Sequence, residues 1–483
     1  MLTLSTAALL LGGTHSGRDV EFTSVGTDSR ATMPGMLFVA LAGERFDGHE
    51  HVEAALNQGA SSALVSADWA AAHADAHPHW PLIGVPDTRR ALGRLAMHWR
   101  MHFDIPLIGI TGSNGKTTVK EMCAAILRAE FGQHGVLATA GNLNNEIGLP
   151  LSLLKLHAPH RAAVIEMGMN HAGEIFLLTH LAQPTVALIN NAQRAHLAGL
   201  GSVAAIARAK GEIFSGLREN GVAVINADDT HADLWREMNP GRRIVSFGFA
   251  PTADVRGEWQ ANGLGGVLQL TTPIGKAQLQ LPVPGEHNGR NALAAAAACI
   301  AAGVPLAPIV RGLEHFDNAQ GRLQRKPGLG GAAVIDDSYN ANPDSMRAAI
   351  DVLAALPGPR ILVMGDMGEV GAGAGPLHDE IGAYARRQGI ERLFALGANS
   401  AGAVREFGAG AHHCADVASL AATLRPLMQR DTTVLVKGSR FMKMERVVEE
   451  ILEKPNQESG AAQRRTPVTP PGGGAGEGGL HAA

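Results

Sequence analysis

The sequence predicts an α/β protein of three domains. These are a small N-terminal α/β unit over 1–86, a central parallel-sheet unit over 87–316 and a C-terminal Rossmann-like unit over 317–455, followed by a disordered tail over 456–483. Three observations carry this. At 483 residues the chain exceeds what one hydrophobic core serves. Two stretches repeat a strand–turn–helix rhythm, in which apolar runs barely alternate and end in a polar residue, as parallel strands covered on both faces do. Finally, a glycine-rich loop ending in Gly-Lys-Thr stands between a strand-like run and an amphipathic one.

Taken in order, "MLTLSTAALLLGG" lacks a positive n-region and a small-x-small cleavage site, so it reads as a first helix and not a signal peptide. From 20 to 85, "MLFVAL" and "SSALVS" flank "AALNQGA", "AHPHWPLIGVPD" closes the unit, and "TRRALGRLAMHWRMHF" is a linking helix. The central unit opens at Pro106. "PLIGI", "AAVIEMG", "TVALINN" and "GVAVINADD" are its parallel strands, and the alternating stretch 250–285 is an antiparallel hairpin. The charge-free stretch 292–310 is mostly alanine and is broken by Gly303 and Pro305. It reads as a buried helix and a turn, with no membrane insertion. "AAVIDDSYN", "RILVMGDMG", "RLFALG" and "TTVLVKGS" predict a second parallel sheet. "GAGAG" at 371–375 follows no strand directly and reads as a flexible loop, and the Gly/Pro-rich stretch from Pro455 has too few large apolar residues to fold.

Composition narrows the function classes. The net charge of −4 gives no global basic field, which argues against nucleic acid or anionic membrane as partners; an anionic ligand must be held by local groups. Cys123, Cys299 and Cys414 are widely spaced, one must stay unpaired, and there is no CxxC. This points to a reducing, cytoplasmic compartment and away from a zinc site.

The loop "GITGSNGKTTVKEM" (109–122) departs from G-x-x-x-x-G-K-[ST], because Ile110 stands where the first glycine belongs. Its context is nonetheless that of a phosphate site. Val119, Met122, Cys123, Ile126 and Leu127 form one helical face behind Gly112, Ser113, Asn114 and Gly115. Amides at that helix start can bind phosphate, Lys116 can reach the outer phosphates, and Thr117, followed by Thr118, is placed to ligate Mg²⁺. A plain Gly-rich turn with a solvated lysine would not need all three parts together.

The shifted glycine resembles the loop of the Mur ligases and folylpolyglutamate synthetases, ATP-dependent enzymes that join an amino acid or peptide to a growing chain. "TDSRATMPGMLFVALAGERFDGHEHVEAALNQGA" resembles the uridine-nucleotide-binding domain of the later-acting Mur ligases, which a folylpolyglutamate synthetase would lack. Ser29 and Arg30 match its substrate-binding signature, and a hydroxyl with a guanidinium suits a diphosphate. Read alone, Glu166 is a strand-end carboxylate, His196 a structural histidine and Lys210 a solvated helix lysine. The resemblance implies that Glu166 and His196 are magnesium ligands and that Lys210 carries a carbamate that also serves the metal. It places Asn288 and Asn291, otherwise a polar cap, near adenine. It brings Arg322 to the ATP phosphates, makes Asp337 a ribose ligand, and leaves Asn340 a weaker adenine candidate.

"AGNLNNEIGLPLSLL" (140–154), with Asn142 and Asn145, and "IDDSYNANP" joined to "VLVKGSRFMKMERV" resemble the family member that adds D-alanyl-D-alanine. The preceding ligase usually carries an Asp-Asn-Pro-Arg type motif, which is missing here. The resemblance covers about 1–455. It implies ATP-dependent joining of D-alanyl-D-alanine to a UDP-linked muramoyl tripeptide through an acyl phosphate, with Lys116 and two Mg²⁺ ions offsetting the charge and a monomeric chain. Lys437, Ser439 and the Asp366 loop are candidates for the dipeptide side, or equally strand-end structural contacts. The rival readings are the preceding, diamino-acid-adding ligase and a non-catalytic P-loop nucleotide-binding module.

Overall fold

The computed structural model describes residues 1–453, apart from the side chain of Ala372; the expected tail at 456–483 lies outside the described residues. Three larger sheets organise this part of the chain. The first has five strands, in the order Thr14–Ser16, Leu82–Val85, Ser62–Ser66, Met36–Val39 and Ser24–Gly26, parallel except for the Thr14–Ser16 edge. The central sheet has nine. Val136–Ala138, Ala162–Glu166, Leu107–Thr111, Val186–Ile189, Val222–Asn226 and Arg243–Gly248 run parallel in that spatial order. The third has six, ordered Gln324–Pro327, Ala333–Asp337, Thr433–Lys437, Arg360–Gly365, Arg392–Leu396 and Ala411–Cys414, parallel except at its first strand.

The interior parallel strands, such as Leu107–Thr111, Ala162–Glu166, Val186–Ile189, Val222–Asn226 and Thr433–Lys437, are buried throughout, as their unbroken apolar runs require. One face of the central sheet packs Ile108, Ile110, Val164 and Leu188 against Val119, Met122, Cys123, Ile126 and Leu127 of the helix Lys116–Phe131 and against the helix Glu286–Ala301. Ala292 to Ala298 are fully buried there, so the alanine-rich first part of the charge-free stretch is core. Among the described residues no helix is long and apolar enough to cross a membrane. The opposite face shares a core with the first unit: Leu37, Val39 and Ile83 join Ala163, Ile165 and Ile189 through Leu92 and Leu95 of the linking helix Thr88–Arg100.

Two expectations change. The stretch 250–285 is a three-stranded meander rather than a hairpin. Its first strand, Val255–Asn262, also pairs in parallel with Arg243–Gly248, so the meander extends the central sheet. The "GAGAG" stretch is not a free loop. Gly371–Gly373 forms a 3₁₀ turn that runs into the helix Ala374–Arg387, with Pro376 in its first turn, where a missing N–H does no harm.

Candidate active site

The glycine loop sits at the C-terminal end of Leu107–Thr111, where parallel sheets leave their crevice. Gly115 starts the following helix at φ 76°, and a Cβ there would meet Asn291 Oδ1 at 2.5 Å and Asn190 Nδ2 at 2.6 Å. Both conformation and space therefore demand glycine. The loop is braced from the Val186–Ile189 strand end. Ser113 N donates to Asn191 O (3.0 Å) and Asn114 N to Asn191 Oδ1 (2.9 Å). Ser113 Oγ donates to Gln193 O at 3.1 Å and accepts from Gln193 N at 2.9 Å. Lys116 folds back, its Nζ donating to Gly112 O at 2.7 Å. Burial lowers its pKa, against the opposing charge of Glu166.

Two cavities meet at Asn114 and Gly115. The smaller, of about 290 Å³, is lined by Thr118, Asn288, Asn291, Arg322, Asp337 and Lys437 among others. Its amides form a chain: Asn190 Nδ2 donates to Asn291 Oδ1 (2.9 Å) and Asn291 Nδ2 to Asn288 Oδ1 (3.1 Å). Burial pushes the neighbouring His287 imidazole down to about 4, so it is neutral there. Asp337 accepts from Lys437 Nζ at 2.6 Å, and that ammonium also donates to Asn340 O at 2.9 Å. Burial raises the Asp337 carboxyl even so. Arg322 lies 4.3 Å over the Tyr339 ring.

The larger cavity, of about 520 Å³, brings together Lys116, Thr117, Asn142, Asn145, Glu166 and His196. Glu166 accepts from Asn144 Nδ2 at 2.7 Å through Oε1, while its Oε2 is buried with no hydrogen-bond partner among the described residues. His196 sits at φ 59° with Nδ1 2.7 Å from Glu369 Oε2. The adjacent imidazole, opposed by burial and helped by Lys116, holds the Glu369 carboxyl below its ordinary value. Arg322 and Asn340 line this cavity too.

Other candidates are placed differently. Lys210, on the helix Val203–Gly211, is buried beside the site but lines none of the cavities described here. Burial, with the nearby Lys116 charge, puts its amine well below the ordinary lysine value, and no counter-charge raises it. Ser29 and Arg30 lie in an exposed 3₁₀ turn, Arg30 88% exposed and paired with its own Asp28. Asn145 Oδ1 accepts from Gly148 N at 2.9 Å, at the start of the helix Gly148–Leu153. Ser439 bridges Ala341 O and Gly368 N at 2.9 and 2.7 Å, and the Asp366 carboxylate accepts from Ser400 N at 2.8 Å. These last two side chains hold loops together, whereas Lys437 borders both cavities.

Several site residues escaped the sequence reading. Asn342, one of these, exchanges hydrogen bonds of 2.7 and 3.3 Å with the expected loop residue Asn114, joining the loop to the third sheet's first helix, Pro343–Ala354. Arg194 reaches Asp344 at 2.6 Å and Glu380 at 2.8 Å across the same junction. Asn144, Asn190 and Glu369 complete the group. The available signal was the density of asparagines at the ends of apolar runs in "NLNNE", "INN" and "NANP".

Known proteins resemble this chain along most of its length. Family models described as Mur ligase family catalytic domain, Mur ligase middle domain and Mur ligase glutamate ligase domain match 21–100, 110–299 and 321–440. The UDP-N-acetylmuramoyl-tripeptide--D-alanyl-D-alanine ligase of Escherichia coli (strain K12) is 42% identical over 94% of this chain and 98% of its own. That of Bacillus subtilis (strain 168) is 34% identical over 94% and 99%. A crystal structure of MurF from Acinetobacter baumannii superposes with a TM-score of 0.85 at 36% identity, covering 93% of this chain and 98% of that one. MurF ligase from Thermotoga maritima in complex with ADP gives 0.76 at 26%, covering 88% and 96%. The chain belongs to the Mur ligase family.

Proposed function

We propose that this chain joins D-alanyl-D-alanine to UDP-N-acetylmuramoyl-tripeptide, converting ATP to ADP and phosphate. One observation carries the reading. The glycine loop separates an amide-lined cavity that reaches Asp337 from a larger one holding Lys116 and a partnerless Glu166 oxygen. A nucleotide lying across the loop has its base and ribose in the first, against Asn288, Asn291 and Asp337, with Asn340 at the rim. Its terminal phosphate enters the second, near Lys116 and Arg322. The relatives with this activity span nearly the whole chain.

A carboxylate is a poor electrophile, so its oxygen first takes the terminal phosphoryl group of ATP and ADP leaves. The dipeptide amine then attacks the acyl phosphate carbon, phosphate departs, and the amine gives up a proton. Lys116 neutralises charge as the phosphoryl group moves, and the loop amides keep that group in line. Thr117, Glu166 and His196 offer hydroxyl, carboxylate and imidazole to one cavity, a set that fits a hard divalent cation completed by phosphate oxygens and water. Among the described residues no group of three or more His, Cys, Asp or Glu is arranged to hold a metal. Bound Mg²⁺ would supply charge neutralisation on the phosphates. Lys210 is buried with no counter-charge among the described residues, and its neutral amine is the form to which CO₂ adds, releasing a proton and leaving a carbamate.

In this account 1–86 binds the uridine nucleotide through Ser29 and Arg30, 87–316 holds ATP, and 317–455 brings in the dipeptide beside Lys437, Ser439 and the Asp366 loop. Asn142 and Asn145 face the acceptor peptide. The protein works as a cytoplasmic monomer. Mass spectrometry of the product from ATP, UDP-muramoyl tripeptide and D-alanyl-D-alanine tests the assignment. Wild-type chain should yield the pentapeptide and Lys116→Ala none; full activity in Lys116→Ala would refute it.

A further inference from the structure

The end of the strand Ala162–Glu166 is held by contacts that the reaction scheme leaves unused. Asn144 Nδ2 donates to Glu166 Oε1 at 2.7 Å. Gly168 N donates to Asn144 O at 2.9 Å, and a Cβ on residue 168 would come within 3.0 Å of the Asn144 carboxamide, so loop and strand end fit closely. The backbone is fixed separately. Glu166 N donates to Thr139 Oγ1 at 2.9 Å, and buried Lys120 donates to Thr139 O at 2.8 Å. The result is asymmetric. One oxygen of a carboxylate that is 2% exposed is engaged, and the other is buried and bare. A bare anionic oxygen at that depth is costly unless a cation or donor completes it.

We propose that Asn144 is a positioning residue that makes Glu166 a one-oxygen ligand and so sets the site's preference for Mg²⁺ over Ca²⁺. The inference rests on the reading that Glu166 faces the nucleotide's divalent cation. Mg²⁺ requires compact octahedral coordination, keeps waters and takes single carboxylate oxygens; Ca²⁺ takes more ligands and accepts both oxygens of one carboxylate. With Oε1 tied to the amide, Glu166 can give only Oε2. Without the amide both oxygens are free to chelate the larger ion.

The test is displacement of Mn²⁺ from the full chain with ADP bound, followed by electron paramagnetic resonance, using Mg²⁺ and Ca²⁺ as separate competitors. Asn144→Ala should weaken Mg²⁺ competition by roughly 10- to 100-fold, the usual effect of losing a group that orients a metal ligand. Ca²⁺ competition should hold or strengthen, so the Mg²⁺/Ca²⁺ preference falls by at least about tenfold. Asn144→Asp keeps the shape, cannot donate when ionised and adds an anionic oxygen. It should shift the preference the same way and serves if the alanine variant does not fold. Equal weakening towards both ions in the variants would overturn the inference and leave Asn144 a loop brace. Mn²⁺ binding that survives Glu166→Gln would instead overturn the reading beneath it.

Discussion

Replacing Lys437 by methionine should destabilise the third sheet of the ligand-free protein by about 3–5 kcal/mol, the usual consequence of leaving a buried charge without its partner. The pair is short at 2.6 Å, and its side chains are only 4% and 10% exposed, so solvent screens little of it. The two residues end adjacent parallel strands in register, and Lys437 also satisfies Asn340 O. Methionine fills the same space and leaves Asp337 facing an apolar neighbour. The sign of the pH dependence follows. Burial already holds Asp337 above its ordinary 3.8 with the ammonium present, and without it the carboxyl rises further. A carboxyl raised by folding is least unfavourable when protonated, so the deficit is smallest below 3.8 and grows as pH rises through the folded value. Hydrogen exchange of peptides spanning 333–337 and 433–437 reads this locally, without assuming that the whole chain unfolds in one step. The expected loss of protection is about a hundredfold or more near neutral pH. The double change Lys437→Met with Asp337→Leu should recover most of it, because no charge remains buried. A loss below about 1 kcal/mol, a deficit independent of pH, or a double variant as unstable as the single would refute this reasoning.

Gly115→Ala forces a Cβ into Asn291 and Asn190 at a left-handed φ, so ADP affinity measured by calorimetry should fall at least roughly tenfold; an unchanged affinity would contradict the loop assignment. Arg194→Ala removes the ion pairs to Asp344 and Glu380 across the junction of the second and third units. These side chains are about a quarter exposed, so the loss should be modest, about 1 kcal/mol, and it should vanish in high salt. Small-angle scattering should show a larger radius for the variant at low salt, and identical profiles would count against a latch. If Lys210 is carbamylated, labelled bicarbonate should give a carbamate ¹³C resonance that Lys210→Arg lacks, and removing CO₂ should lower ligation in the wild type.

Much of the fold could be read from the sequence because parallel strands buried on both faces leave dense apolar runs. "PLIGI", "AAVIEMG" and "TVLVK" all fall on strands. The short or polar strands Gln324–Pro327 and Ala411–Cys414 carry no such mark, since edge strands take their place from their neighbours and not from their own composition. The glycine loop stood out because glycine, lysine and threonine at that spacing suit phosphate binding, and the structure places it between the strand Leu107–Thr111 and the helix Lys116–Phe131. The amide network was hidden. Asn144, Asn190 and Asn342 are ordinary loop residues until folding brings the ends of different strands together, and the Asn114–Asn342 bond spans 228 positions. Arg194 and Glu369 escaped for the same reason. The Lys437–Asp337 pair shows the limit from the other side, because both residues were singled out but their partnership depends on strand order.

The most direct measurement is phosphate release from ATP in the presence of UDP-muramoyl tripeptide, with and without D-alanyl-D-alanine. Release that requires the dipeptide, matched mole for mole by pentapeptide, is the predicted result. Release that ignores the dipeptide but appears with a free diamino acid and the UDP-muramoyl dipeptide would contradict it.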